Sequence, residues 1–84
     1  MSESEEKIHH DCMNRFIELA NGMKDDGVDT SVVSSSLMTA TAVYCTYAAA
    51  GNEGGLTASG LDKMIAEFRT RLERVQAAKK AQAQ

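Results

Sequence analysis

The 84-residue chain has no proline, no tryptophan, only two cysteines and an aromatic content of 5%. A fold of many short strands and turns would draw on proline, so its absence beside a dozen alanines points to helices. Cys12 and Cys45 lie far apart, each within an apolar helical pattern, which favours buried, reduced thiols over a bridge. Positive charge is also scarce. Nine Lys and Arg against twelve Asp and Glu leave a net charge of −3, with no broad attraction for nucleic acid or an anionic membrane. The first seven residues carry three acids where a secretory signal needs a basic segment and an apolar run, so a cytoplasmic protein is expected.

Size sets a further limit. A domain this small buries only about 60% of the surface its unfolded chain exposes. The 22 larger apolar side chains can make one thin core, with no second domain and no roomy enclosed active site. Charge is polarised along the chain: residues 1–29 hold eight acids and three bases, whereas residues 53–84 hold four acids and six bases. The two ends should attract each other, rimming a shared core with opposite charges or docking an acidic partner.

Periodicity predicts three antiparallel helices, at about 3–24, 30–50 and 60–79. The first opens at Ser2, where Ser2-Glu3-Ser4-Glu5 has capping-box spacing and the acids favour the positive end of the helix dipole; Ser4 is the alternative cap. Ile8, Cys12, Phe16, Leu19 and Met23 form its apolar stripe, widened by Met13, Ile17 and Ala20. Lys24-Asp25-Asp26-Gly27 is the predicted stop, with the glycine in the left-handed conformation. The third helix is predicted to open at Ser59, or earlier at Thr57. It carries a stripe of Leu61, Met64/Ile65, Phe68, Leu72 and Val75, and its charges offer the exposed pairs Lys63–Glu67, Glu67–Arg71 and Arg69–Glu73. Beyond Val75 large apolar anchors run out, which predicts a frayed tail.

The second helix is the informative one. It starts after Val28 with Asp29 or Thr30 as cap, and an Asp29 cap makes Val28 and Val33 a hydrophobic staple. The 23 residues between Asp29 and Glu53 carry no charge. Val33, Leu37, Ala40, Tyr44 and Tyr47/Ala48 form one stripe, and Met38, Ala42, Cys45 and Ala49 are read as an adjoining one. A helix neutral all round must be covered on most sides, more than two neighbouring helices of one chain supply. The length would cross a membrane, but eight of the 22 residues from Thr30 to Gly51 are Ser or Thr, and no basic cluster or aromatic belt flanks them. Self-association is the reading that remains. Ser34, Ser35, Ala42 and Ala49 allow a close second helix, while hydroxyls bond back to their own helix. Val33, Leu37, Met38, Ala42, Cys45 and Ala49 are therefore the expected self-association residues of a homodimer or higher oligomer.

Chemical motifs are sparse. His9, His10, Asp11 and Cys12 are the one cluster of metal-ligand types; Cys45 could join His9 and Cys12, yet a fourth ligand is missing, as are C-x-x-C and H-E-x-x-H spacings, so no metal or cofactor is expected. Asp25, Asp26 and Asp29 do not fit a calcium loop and read as a polar turn and a cap. Gly51-Asn52-Glu53-Gly54-Gly55 has neither a preceding strand nor a following Lys-Ser/Thr, so it reads as a connector rather than a phosphate cradle.

The stretches Arg15-Phe-Ile-Glu-Leu-Ala-Asn21, Val32 to Leu37-Met38 with Ala40, Ala42 and Tyr44, and Ile65-Ala-Glu-Phe68-Arg-Thr-Arg-Leu72 resemble a family of short proteobacterial proteins classed as a domain of unknown function. The resemblance spans most of residues 15–72 and implies a compact all-helical cytoplasmic protein, with no catalytic or binding residue to carry over. The leading expectation is thus a non-enzymatic interaction or regulatory protein that self-associates through its central helix. The alternative is a small-ligand binder with a pocket at the oligomer interface near Tyr44 and Tyr47, and a third is an enzyme or metal site using His9, His10 and Cys12.

Overall fold

A computed structural model describes residues 2–83 and shows an all-α protein. Its helices are α1 (Glu3–Asp25), α2 (Thr30–Ala50) and α3 (Ala58–Ala83), with no strand among the described residues. The chain divides into two units between Tyr44 and Cys45, inside α2.

The first unit shows how the sequence starts and stops a helix. Ser2 is the cap of α1: its hydroxyl oxygen accepts from the Glu5 N–H at 3.2 Å and its hydroxyl donates to Glu5 Oε1 at 3.3 Å. The spacing is that of a capping box, with the Glu5 carboxylate accepting from the Ser2 hydroxyl. Glu3, Glu5 and Glu6 sit in the first turn, where the dipole favours them. At the other end Gly27 has φ +101°, its N–H donates to Lys24 O at 3.0 Å and the Val28 N–H donates to Met23 O at 3.1 Å. Those two bonds are a Schellman closure, which satisfies carbonyls the last turn leaves open and needs a residue tolerant of positive φ. Asp29 then caps α2, its Oδ1 accepting from the Ser31 N–H at 3.2 Å, so Asp29 and not Thr30 is the cap.

In the second unit α2 ends in a simpler left-handed cap, with Gly51 at φ +79° donating its N–H to Tyr47 O at 2.8 Å. The connector then turns back on the helix end, because a Cβ at Gly54 would collide with the Ala50 carbonyl oxygen. Helix α3 starts two residues earlier than a Ser59 opening implies. The Thr57 hydroxyl accepts from the Gly60 N–H at 3.1 Å, and Thr57 O accepts from the Leu61 N–H at 2.9 Å. Helix α3 continues through Ala83. Alanine, glutamine and lysine all favour helix, and no glycine or proline interrupts the run.

The expected thin core is not formed within the single chain. No described residue is buried, and eighteen large apolar side chains remain at least 37% exposed. Cys12 is exposed and Cys45 half-exposed, so both are free thiols but neither is the buried one expected.

Candidate self-association surface

Helix α2 supplies the candidate surface through composition and register together. Each residue advances about 100° around an α-helix, so Val33, Leu37, Ala40, Tyr44 and Tyr47, spaced four, three, four and three apart, stay on one face. Met38, Ala42, Cys45 and Ala49 stay on another. The two faces are not adjoining: the step from Val33 to Met38 turns about 500°, and the face centres lie roughly 150° apart. Val32 and Val43 point between them on the remaining side. Apolar groups in three directions explain why α2 shows no single amphipathic face.

The faces differ in size. Leu37, Tyr44 and Tyr47 make the first bulky; Tyr44 is 68% exposed and Leu37 37%. The second also includes Ser31 and Ser35 and is small apart from Met38, with Ser35, Ala42 and Ala49 seven residues apart. Small side chains at that spacing let two helix backbones approach closely along a continuous line. Of the expected self-association residues, Val33 and Cys45 are half-exposed and Leu37, Met38, Ala42 and Ala49 exposed. Val33 and Leu37 belong to the bulky face and the other four to the small one, so they form two surfaces, not one.

Hydroxyl chemistry supports apolar packing. Thr39 Oγ1 donates to Ser35 O at 3.1 Å and Thr41 Oγ1 to Leu37 O at 2.8 Å, the expected back-bonding to their own helix. A threonine bonded in this way keeps its polar hydrogen satisfied and leaves its methyl group for contact, so these residues can enter an interface without an unpaired donor.

The alternative sites are placed elsewhere. His9, His10 and Cys12 are all exposed on α1, and among the described residues no three His, Cys, Asp or Glu side chains converge to hold a metal ion. A shallow, open groove of about 300 Å³ runs along α3, lined by Ala66, Glu67, Thr70, Arg71 and Arg74. It does not involve Tyr44 or Tyr47. Nothing in the residue pattern singled out this groove; Arg71 and Arg74, three apart on a helix, are the signal that would have placed both on one side. The ion pair within 4 Å among the described residues is Lys7–Asp11 at 3.9 Å, four apart on α1, whereas the three pairs anticipated on α3 stand farther apart than that. The glycines of residues 51–55 shape the exit from α2, through the positive φ of Gly51 and the close approach of Gly54. Among the described residues no helix is long and apolar enough to cross a membrane.

No curated protein and no solved structure is measurably similar to the chain. A family of proteins of unknown function, DUF3144, matches residues 9–79, the span that holds both α2 faces, the stripe of α3 and that of α1 from Cys12 onward. The chain belongs to the DUF3144 family.

Proposed function

We propose that this protein is a non-enzymatic helical interaction module, built by self-association through α2, whose assembled form presents a protein-binding or regulatory surface. One observation carries the reading: among the described residues eighteen large apolar side chains are exposed and none is buried. Water-exposed apolar area on that scale marks a surface that another protein covers. The small face of α2 is suited to another α2 because its seven-residue repeat is self-complementary under a two-fold axis. The bulky face then packs against other helices of the assembly. A protein partner fits the net charge of −3 better than nucleic acid does.

The test is the solution mass. Light scattering or sedimentation at micromolar concentration should return at least twice the 9.1 kDa chain mass. A folded species of 9.1 kDa would refute self-association.

A further inference from the structure

We infer that the apolar seams of α1 and α3 cover each other between two copies of the chain, α1 of one copy lying antiparallel against α3 of the other. The inference rests on self-association and adds which surfaces meet. Both seams are open in the single chain: Phe16 and Leu19 are each 62% exposed, and Ile65 and Phe68 are 66% and 51% exposed. The occupant follows from charge. Helix α1 holds six acids and three bases, while α3 holds three acids and six bases. Pairing α1 with α1, or α3 with α3, sets like charge against like; pairing α1 with α3 sets −3 against +3.

Direction follows from where those charges lie. In α1 the segment 3–11 carries Glu3, Glu5, Glu6 and Asp11 against Lys7 alone. In α3 the basic excess begins at Arg69 and ends at Lys79 and Lys80. Only an antiparallel arrangement brings those ends together. The apolar spacing then falls into one register, in which Met23 meets Leu61, Leu19 meets Ile65, Phe16 meets Phe68 and Cys12 meets Leu72. Continued two layers outward, the same register sets Glu5 against Lys79. Arg15 and Arg71 fall on one flank, the one like-charge pair that this register sets beside the seam.

Connectivity assigns the pairing to two copies. Helix α2 is 21 residues, about 31 Å, long. For α3 of the same chain to run antiparallel along α1, its start would have to return that distance to the end of α1. The connector, residues 51–57, would reach about 25 Å if fully extended, and it is instead folded back at Gly51 and Gly54. A second copy has no such restraint. Under two-fold symmetry the seam forms twice, once from each α1.

Cross-linking of full-length chains tests this. All chains carry Cys45→Ala; one keeps Cys12, and the other, size-tagged, carries Cys12→Ala and Leu72→Cys. After joint refolding, a short bis-maleimide should join the two chains several-fold more efficiently than when the second cysteine is placed by Leu61→Cys, the parallel-register position, or by Lys63→Cys on the outer face. Equal yields, or a preference for Leu61→Cys, would overturn the pairing. So would internal closure of a single chain carrying both Cys12 and Leu72→Cys. A second test leaves the apolar layers intact: Glu5→Lys and Lys79→Glu should each weaken association by about two- to fivefold, and the double exchange should restore it. A double variant no tighter than the single ones would overturn the pairing as well. The wild-type solution mass separates the two readings, since an oligomer without the cross-link preference removes this arrangement and leaves self-association standing.

Discussion

Gly22 and Gly27 lie five residues apart around the end of α1, and alanine should act on them with opposite sign. Gly27 has φ +101° and closes the Schellman turn, while Gly22 is in the helix proper; a Cβ at either position would meet nothing within 4 Å. Contacts therefore cancel and only backbone preference remains. An L-residue forced to positive φ costs about 1–2 kcal/mol. Replacing glycine with alanine inside a helix gains roughly 0.5–1 kcal/mol. For a domain of this size 1 kcal/mol moves Tm by about 4–8 °C. Gly27→Ala should thus lower Tm by roughly 5–15 °C and Gly22→Ala should raise it by about 2–8 °C. Thermal unfolding followed by circular dichroism measures both, with chain concentration held fixed because the Tm of any self-associating chain depends on it. Gly22 lies on the flank of the apolar stripe, seven residues from Arg15, and its open surroundings leave room for the added methyl group. A loss of stability at Gly22, or no loss at Gly27, would refute the claim that both effects are local to the backbone.

Other perturbations separate local from assembly effects. Asp29→Ala should cost about 0.5–2 kcal/mol in chemical denaturation; Thr57→Ala should cost a similar amount and Ser59→Ala clearly less, because Thr57 and not Ser59 takes the Gly60 N–H. A larger loss from Ser59→Ala would return the start of α3 to that residue. Leu37→Glu and Ala42→Glu place a charge on the bulky and small faces of α2, and each should dissociate or unfold the oligomer, read as a fall in sedimentation mass or in helical signal. Unchanged mass with unchanged stability would remove both faces from the interface. His9→Ala with His10→Ala alters two exposed side chains and should stay within about 0.5 kcal/mol of wild type with the same mass.

Much of the local structure was legible because its causes are local. The Ser2 cap, the Gly27 stop and the end of α2 at Gly51 each depend on what one side chain or one glycine can do within a turn, and each is found where the residue types put it. The start of α3 was ambiguous for the same reason. Thr57 and Ser59 are both competent caps, and their hydroxyls lie 3.2 Å apart, so residue type alone could not choose between them. Gly54 carried no signal at all, since its requirement comes from the Ala50 carbonyl four residues back. The α2 stripes are visible as apolar spacings, and the turn of about 100° per residue sets Val33 and Met38 on separate faces.

Sequence alone was sufficient for three helices, for their caps to within a residue or two, and for a charge-free central helix. Those properties rest on backbone propensity and on periods of three and four, which act over a few residues. Exposure is a different kind of quantity, because it depends on what lies against each stripe in space. The folded chain shows that Phe16, Leu37, Tyr44 and Phe68 are exposed, that Cys12 is exposed, and that none of the described residues is buried. An amphipathic pattern states which side chains leave water and is silent on which molecule covers them.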